Sequence, residues 1–441
     1  MGVVYMNYKE AMEYIEYTAK FGSKLGLERT EVILKLLGDP HKKIKCIHIA
    51  GTNGKGSVTA MITNILMKSG YKVGMYTSPY LMEFEERIQV NGENISKENL
   101  AECVSKTAEV ISKVISMGYG NPTQFEIITC AAFLYFYEQN VDFAVIEVGL
   151  GGRLDSTNVI IPMVSAITSI SYDHMQILGN TLGKIAYEKA GIIKYGVPTV
   201  LYPMEKEALD VIENVCIQKC SKAVHVYKDC AEFIDCSEAS YGKQHFKVST
   251  EKDIYDIHLS LLGKHQIYNS AVAVKVCEEL INQGVNIKKS DILNGLNTVK
   301  WPGRLEIMDN NPLVVIDGAH NIDGIKMLNE SINEYFKFNN IILILGILAD
   351  KQVDEMIKVI APKAKKIFAV TPNSTRGESA EELKKKILCC NTDCEAIDSY
   401  EEAYCKAKKY SQKDDIILIC GSLYMVGDMR KIILNTIRTF N

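Results

Sequence analysis

Residues 44–57, with the sequence IKCIHIAGTNGKGS, contain the pattern that decides the fold. Residues 44–50 form an apolar run typical of a buried strand, and residues 55–68 have the pattern of a helix. A glycine-rich turn between such a strand and a helix is typical of a phosphate-binding loop, because its backbone N–H groups can face an anion. The turn at residues 51–57 therefore predicts that the protein binds a nucleoside triphosphate.

This turn differs from a strict Walker A sequence, because Gly56 separates Lys55 from the hydroxyl residue Ser57. Lys55 is expected to neutralise the β- and γ-phosphate oxygens, and Ser57 or Thr52 to reach a metal ion or a phosphate. The alternative is a glycine-rich turn that binds no ligand. The strand before the turn and the helix after it favour the phosphate-binding interpretation.

Strand-like and helical patterns alternate along the chain, which is typical of an α/β fold with a parallel sheet. Further strands are predicted at residues 73–76, 143–148 and 164–167, and helices at 97–116, 124–137, 185–193 and 265–280. The polar segment 222–257 interrupts this alternation and predicts β-hairpins. A Pro-Gly pair next to Trp301, the single tryptophan, predicts a domain boundary.

Strand–helix alternation starts again after that boundary, with strands predicted at residues 313–316, 341–345, 366–370 and 416–420. We therefore predict two α/β domains. The first is a P-loop-containing, doubly wound domain over residues 1–298. A linker over residues 299–305 leads to a smaller, Rossmann-like α/β domain over residues 306–441.

The composition argues against several classes of protein. Hydrophobic residues make up 47% and charged residues 24% of the 441 residues, as in globular domains. The net charge of -4 argues against a dedicated nucleic-acid binder. No signal peptide or membrane span is expected. The thirteen cysteines, including Cys389, Cys390 and Cys394, lack the paired spacing of a metal site, so reduced thiols in a cytoplasmic protein are expected.

Several polar residues lie at the carboxyl end of a predicted strand or just after it, at the sheet edge where α/β proteins bind their ligands. Glu147 and His174 do so in the first half, and Asp317 in the second. A carboxylate in this position suits Mg²⁺, and Arg304 with Asp317 suggests that the nucleotide lies between the domains. The alternative for each is an ordinary strand-end or surface side chain. Lys189, inside a predicted helix, has the pattern of a solvated cation.

Ten sequence blocks, in order along nearly the whole chain, resemble the folylpolyglutamate synthase/dihydrofolate synthase family of the Mur ligase superfamily. They are GTNGKGS (51–57), TSPYL (77–81) with ERI (86–88), PTQFE (122–126), EVGLGGRLDSTN (147–158), SYDH (171–174), EKAGIIK (188–194), GKHQIYNS (263–270), WPGRLE (301–306), DGAHN (317–321) and GSLYMVG (421–427). Two residues depart from the family's usual sequence. Tyr80 stands where His is usual, and Ser156 where Ala is usual.

The resemblance implies roles for the matching residues. Those implied to bind ATP are Asn53, Gly54, Lys55, Gly56, Ser57, Asn269, Arg304 and Asp317. The implied ligands of two magnesium ions are Ser78, Glu147, His174 and a carbamylated Lys189. The implied dihydropteroate pocket comprises Thr123, Gln124, Phe125, Glu126, Leu154, Asp155 and Ser156. Lys55 and Lys189 are implied to be catalytic together with His320, which is assigned to glutamate binding or proton transfer.

The activity implied by the resemblance is that of an acid–amino-acid ligase of folate biosynthesis and one-carbon metabolism. It adds L-glutamate to dihydropteroate, to the γ-carboxylate of reduced folates, or to both. ATP activates the carboxylate as an acyl phosphate and is converted to ADP and phosphate. The blocks of the dihydropteroate pocket favour a bifunctional enzyme. We expect a monomer that has no nucleic-acid or membrane partner.

Two other functions stay open. A Mur-type ligase acting on a cell-wall precursor would use the same chemistry, but the 50 residues before Gly51 are shorter than a UDP-binding domain. A P-loop ATPase switch would hydrolyse ATP when stimulated by a partner protein. The second α/β pattern and the blocks around Lys189 and Asp317 argue against such a switch.

Overall fold

The segment 44–57 forms a strand and the start of a helix in the computed structural model, which describes residues 5–22, 26–236 and 243–440. The strands are β1 (Lys45–Ala50), β2 (Val73–Tyr76), β3 (Ile88–Val90), β4 (Glu93–Asn94), β5 (Phe143–Glu147), β6 (Val164–Ile167), β7 (Thr199–Leu201), β8 (Ala223–His225), β9 (Ala231–Cys236), β10 (Gln244–Ser249), β11 (Ile254–Leu259), β12 (Glu306–Asn310), β13 (Leu313–Ile316), β14 (Ile341–Leu345), β15 (Ala364–Val370), β16 (Cys394–Ile397) and β17 (Ile416–Cys420).

Helices separate most of these strands. They are α1 (Tyr8–Ala19), α2 (Glu28–Leu36), α3 (Lys55–Lys68), α4 (Lys97–Ser116), α5 (Gln124–Glu138), α6 (Met175–Leu178), α7 (Leu182–Ala190), α8 (Lys206–Gln218), α9 (Lys264–Asn282), α10 (Lys289–Thr298), α11 (Ile322–Tyr335), α12 (Val353–Ile360), α13 (Ala380–Ile387), α14 (Tyr400–Tyr410) and α15 (Leu423–Phe440). None of the described helices is both long enough and apolar enough to cross a membrane.

The first sheet has eight strands in the order β4-β3-β2-β5-β1-β6-β7-β8. The strands from β2 to β8 in this order are parallel, and the edge strands β3 and β4 are antiparallel. Ile47 and Ile49 of β1 face a core with α3 and α9, whereas Cys46 faces a second core with α4 and α5. Because helices cover both faces, apolar runs such as β1 are buried on both sides.

The second sheet has six strands in the order β12-β13-β17-β14-β15-β16, and only its edge strand β12 is antiparallel among the described strands. Buried side chains of α11, α12 and α13 cover one face, and those of α14 and α15 cover the other. Both sheets therefore confirm the predicted α/β fold class. α10 ends at Thr298 and β12 begins at Glu306, so residues 299–305 pass from one sheet to the other.

Two predicted segments differ from the structure. The helix predicted at residues 185–193 is α7, which begins earlier because the Thr181 hydroxyl accepts from Lys184 N and caps it. Within residues 222–257, β9, β10 and β11 form an antiparallel three-stranded sheet, as predicted for hairpins. The prediction was wrong for β8, which pairs with β7 as a parallel strand of the first sheet. Residues 237–242 of this segment lie outside the described residues.

Candidate active site

A cleft of about 650 Å³ lies between the two large sheets, and both sheets contribute residues to its walls. In the first sheet, the turns that follow β1, β2, β5 and β6 line it, and in the second sheet the turn that follows β13 does. All the predicted site residues line this cleft except Gln124, Glu126 and Asn269. The arrangement agrees with the rule that ligands bind at the carboxyl ends of parallel strands.

The turn from Gly51 to Ser57 opens α3 without a capping side chain among the described residues. Gly54 occupies the N-cap position with a left-handed backbone, φ 90°, that favours glycine. A Cβ on Gly56 would lie 2.8 Å from the Trp301 indole, so this position requires glycine for close approach. The N-terminus of α3 can therefore receive an anion, with its backbone N–H groups as donors.

Two side chains of α9 support the turn from behind. The Gln266 amide donates to Ser57 Oγ at 3.2 Å, and the Asn269 amide donates to Gln266 Oε1 at 2.9 Å. A Cβ on Gly54 would lie 2.6 Å from Asn269 Oδ1, so Asn269 packs directly against the turn. The structure thus places Asn269 next to the predicted phosphate site but behind the lining of the cleft.

Two lysines converge on the same turn. Lys55 Nζ donates to Gly51 O and Thr52 O, both at 3.1 Å, and Lys189 Nζ donates to Gly51 O at 2.7 Å. Lys189 is only 4% exposed, and burial together with the nearby Lys55 charge lowers the pKa of its amine to about 7. The pattern of a solvated cation was therefore wrong for Lys189, because α7 packs this side chain against the turn at residues 51–57.

Glu147 ends β5 as a buried carboxylate. Burial raises its pKa to about 7, although the Lys55 charge and a 3.4 Å hydrogen bond from Ser78 N oppose this shift. Such a carboxylate is stabilised by a cation, and it faces the cleft together with the Ser78 and His174 side chains. Carboxylate, hydroxyl and imidazole groups are suitable donors for a divalent ion, so these residues fit a magnesium site.

The turn after β13 holds Asp317 and Arg304 together. Asp317 accepts from Leu305 N at 2.9 Å and from Ala319 N at 2.8 Å. Burial raises its pKa and the Arg304 charge opposes that rise. Arg304 passes over Gly318, where a Cβ would overlap its guanidinium group. The sequence Asp-Gly-Ala therefore fixes both the backbone of this turn and the cation that faces the cleft.

His320 lies on the same turn with a defined tautomer. Its Nδ1 lies 2.8 Å from Gly318 O, which can only accept, so Nδ1 carries the proton. Burial and the Lys351 charge lower the pKa of His320 to about 4. The imidazole is therefore neutral near pH 7, and Nε2 has a free lone pair, 3.8 Å from Asp173 Oδ2.

Polar contacts join the two halves across the cleft. The side-chain amides of Asn53 and Asn321 exchange hydrogen bonds of 2.9 and 3.3 Å. Lys351 Nζ lies 2.5 Å from Asp173 Oδ1, and Asn321 Nδ2 donates to Asp173 Oδ2 at 3.3 Å. Neither the sequence patterns nor the family resemblance had given a role to Asp173, Asn321 or Lys351. Their positions just after β6, β13 and β14 are the signal that could have identified them.

The seven residues predicted to bind dihydropteroate fall into three groups. Phe125 packs on Gly149, and it lines the cleft with Leu154 and Ser156. Thr123 also lines the cleft, but it forms a capping box with Glu126 at the start of α5, and Glu126 is ion-paired with Arg29 at 2.9 Å.

The two remaining members hold local structure. Gln124 donates weakly to Ile15 O at 3.4 Å. Asp155 lines the cleft, but its oxygens accept from Leu150 N at 2.8 Å and from Thr157 N at 3.0 Å. The first contact closes the loop that follows β5, so we interpret Asp155 as a residue that shapes the pocket.

Comparison with known proteins agrees with this architecture. Residues 49–277 match the family described as Mur ligase middle domain, and residues 303–423 match the Mur ligase, glutamate ligase domain. The dihydrofolate synthase/folylpolyglutamate synthase of Bacillus subtilis (strain 168) is 40% identical over 427 residues, which cover 96% of this chain and 98% of the relative.

Two solved structures are similar over almost their full length. Mycobacterium tuberculosis folylpolyglutamate synthase complexed with ADP and AMPPCP has a TM-score of 0.89 at 28% identity, covering 97% of this chain and 99% of that one. E. coli FolC in complex with DHPP and ADP has a TM-score of 0.86 at 26% identity, covering 98% and 100%. These findings confirm the resemblance that the sequence blocks indicated. The chain belongs to the folylpolyglutamate synthase/dihydrofolate synthase family of the Mur ligases, and it is an ATP-dependent ligase.

Proposed function

We propose that this ligase is bifunctional and adds L-glutamate both to dihydropteroate and to the γ-carboxylate of reduced folates. The observation that carries the proposal is a single cleft that joins a phosphate loop to an aromatic and apolar pocket lined by Phe125 and Leu154. A pterin ring is flat and partly apolar, so it can stack on the Phe125 ring. The B. subtilis relative carries both activities in its name, and the E. coli structure is described with DHPP and ADP.

The first step of the proposed reaction forms an acyl phosphate. The substrate carboxylate attacks the γ-phosphorus of ATP, the bond to the β–γ bridging oxygen breaks, and ADP leaves. Lys55, the N-terminus of α3 and Arg304 stabilise the negative charge that shifts onto ADP and the transferring group. Contacts across the cleft, such as Asn53 with Asn321, hold the two sheets close to each other at this point, which supports the proposal.

In the second step, the glutamate amine attacks the acyl carbon, and the bond to the phosphate oxygen breaks. The attacking nitrogen becomes positively charged and must lose a proton. We assign His320 Nε2 as the acceptor, because this atom has a free lone pair and the imidazole is neutral. The nitrogen of the addition intermediate is more acidic than a free ammonium group, so a base weaker than an ordinary amine can accept its proton. Lys351, 7% exposed at its side chain, faces the same part of the cleft and can attract the carboxylates of glutamate.

We infer that Ser78, Glu147 and His174 hold magnesium, which offsets phosphate charge when it is bound. A second ion requires another anionic ligand, and carbamylation of Lys189 would supply one. Carbon dioxide reacts with the neutral form of an amine, and burial lowers the pKa of Lys189 to about 7. The neutral amine of Lys189 is therefore well populated near neutral pH, whereas an ordinary lysine is almost fully charged.

We also propose that residues 1–298 and 306–441 are the two domains of one catalytic monomer, joined by residues 299–305. The contacts that support this proposal run between the two sheets of one chain. Arg304 lies on the connecting segment, so a rotation about residues 299–305 would move its guanidinium relative to the phosphate loop. Such a rotation provides a way to admit substrates and to exclude water from an acyl phosphate.

A product assay tests the substrate assignment. The purified protein is incubated with Mg-ATP and L-glutamate, and dihydropteroate or a reduced folate monoglutamate is offered in separate reactions. We expect a new amide, detected by mass, and one ADP per amide in each reaction. Amide formation with only one acceptor would restrict the proposal to a single activity.

Two outcomes would favour the rival functions. ATP hydrolysis without an amide would favour an ATPase switch, especially if a partner protein stimulates it. A Mur-type ligase would instead use a nucleotide-linked cell-wall acid and leave both pterin substrates unchanged. A variant with Phe125→Ala provides a second readout. It should raise the KM for dihydropteroate and leave the KM for ATP near the unmodified value, because the Phe125 ring packs on Gly149, in the loop after β5.

A further inference from the structure

A cluster of two histidines and one aspartate lies outside the cleft, on the small sheet formed by β9, β10 and β11. His245 of β10 is paired with His258 of β11 in the antiparallel register, and Asp256 precedes His258 by two residues. Alternate residues of a strand face opposite sides, so all three side chains point to the same face. The opposite face, which includes Phe246 and Ile257, is buried in the core of the first half.

The three side chains converge closely. The imidazole rings of His245 and His258 are stacked at 14°, with centroids 4.1 Å apart. His245 Nε2 lies 2.6 Å from Asp256 Oδ1, and one ligand atom from each residue lies within 4.8 Å of the others. Ligands of a tetrahedral metal ion are about 3–3.5 Å apart, given bond lengths near 2 Å. Asp256 and His258 are exposed and His245 is partly buried, so small side-chain rotations would bring the ligand atoms to that separation.

The charges on this face favour a cation. The register places Asp235 opposite His245 on β9, and Glu232 opposite Lys247. The same face therefore has three carboxylates, including Asp256, against one ammonium group, a net charge of -2 when the imidazoles are neutral. This excess of negative charge attracts a metal cation to the two imidazoles.

We propose that His245, Asp256 and His258 form a binding site for one divalent transition-metal ion of the Zn²⁺ type. Two imidazole nitrogens and one carboxylate oxygen are a donor set for Zn²⁺, Ni²⁺ or Cu²⁺ and a poor one for Mg²⁺. The three residues do not line the cleft, so this site is separate from the proposed magnesium ligands.

The bound ion would join β10 to β11, and β11 leads into α9. The side chain of Gln244 on β10 donates to Leu261 O and Gly263 O at the start of that helix. α9 carries Gln266, which supports the phosphate loop through Ser57. The ion would thus stabilise the hairpin from which α9 extends, without contacting a substrate.

The test uses the full-length protein after removal of metals with a chelator. It is titrated with Zn²⁺ by calorimetry in the presence of excess Mg²⁺, which occupies hard-cation ligands in the cleft. We expect the unmodified protein to bind one more Zn²⁺ per chain than the His258→Ala variant. The Asp256→Asn variant, which keeps both imidazoles, should bind that ion at least about tenfold more weakly.

A matched control is the His225→Ala variant, which removes a partly exposed imidazole paired with Glu213 at 3.4 Å, away from this face. It should bind the same number of Zn²⁺ ions as the unmodified protein. Cobalt provides an independent readout, because Co²⁺ with four or five ligands absorbs strongly in the visible range. This absorption should disappear with His258→Ala, and with the milder His258→Gln if the alanine variant does not fold. Equal Zn²⁺ stoichiometry and affinity in all these proteins would overturn the proposal.

Discussion

The turn at residues 51–57 and the turn at residues 317–321 occupy equivalent places in their sheets. Each follows a buried parallel strand and begins a helix at the cleft. They differ in how that helix is capped. In the first turn, Gly54 is the N-cap and none of the described side chains accepts from the helix. In the second, the Asn321 side chain accepts from Gly324 N at 2.8 Å and caps α11 itself.

This difference in capping lets the same strand–turn–helix backbone bind a ligand in two different ways. An uncapped helix start keeps its N–H groups for a ligand anion, and the lysine beside it adds positive charge. At a capped helix N-terminus, a side chain already accepts a hydrogen bond from one of the free backbone N–H groups. The turn can then direct other side chains towards the ligand. Asp317 and His320 are those side chains in the second sheet. The strand–turn–helix pattern alone therefore indicates a ligand site, but the residue at the N-cap indicates whether backbone or side chain meets the ligand.

The largest effect is expected from replacing the cation of the first turn. Lys55→Ala should lower kcat by roughly a thousand-fold, because the charge on the transferring phosphoryl group loses the ammonium group of this turn. The measurement is steady-state ADP release with a saturating pterin substrate and glutamate. Lys68→Ala, an exposed lysine at the other end of α3, is the matched control and should keep its activity. A loss below tenfold would mean that this turn does not hold the reacting phosphate.

The second largest loss of activity is expected from replacing Lys189. This lysine contacts the first turn, and the turn at residues 317–321 contains no lysine. Lys189→Ala should lower kcat roughly a hundred-fold, and a short carboxylic acid such as acetate should restore part of it. Lys184→Ala, exposed on the same helix, should lose little activity. In the unmodified protein, activity should fall as the pH drops below about 7, because the amine with its lowered pKa becomes protonated and no longer forms a carbamate. Full activity of Lys189→Ala would contradict the carbamate assignment.

These two lysines also show what the sequence could reveal. The phosphate loop is a local pattern of seven residues, so Lys55 was identified from neighbouring residues alone. Lys189 donates to Gly51, which is 138 positions away in the sequence. Its local sequence has the pattern of a surface helix, so only the family resemblance indicated a functional role. Asp173 and Lys351, which meet across 178 positions, were not identified from the sequence at all. Periodicity predicts the sheets because burial repeats along an element, whereas contacts between distant turns leave no such local pattern.

Replacing the aspartate of the second turn should have an intermediate effect. Asp317→Ala removes the acceptor of two backbone N–H groups and the partner of Arg304, so kcat/KM for ATP should fall about thirtyfold, or about 2 kcal/mol. Asp317→Asn retains one carbonyl oxygen and should lose less. Equal losses in both variants would show that the negative charge, and not the support of the turn, is what matters.

A smaller effect is expected from adding one methyl group to the first turn. Gly56→Ala would bring a Cβ to 2.8 Å from the Trp301 indole and displace either the turn or the ring. We expect the KM for ATP to rise about tenfold, an effect of overpacking worth about 1–2 kcal/mol. Trp301→Phe in the same chain makes room for the methyl group and should recover part of the affinity. No recovery would indicate that the methyl group itself obstructs the ligand.

The smallest effect concerns the direct contact between the two turns. Asn53 and Asn321 exchange hydrogen bonds of 2.9 and 3.3 Å, so a double-mutant cycle with Asn53→Ala and Asn321→Ala isolates their interaction. A neutral, partly buried pair should give a coupling of about 1 kcal/mol, which is about fivefold in kcat/KM for ATP. Asn321 also caps α11, so the single variant will lower the melting temperature, and this part cancels in the cycle. Coupling in kcat/KM without coupling in stability would mean that the two turns meet when ATP is bound and are independent otherwise. Strictly additive effects on both kcat/KM and stability would mean that the two turns act independently. The first turn would then bind its ligand group through the backbone N–H groups of an uncapped helix, and the second through side chains.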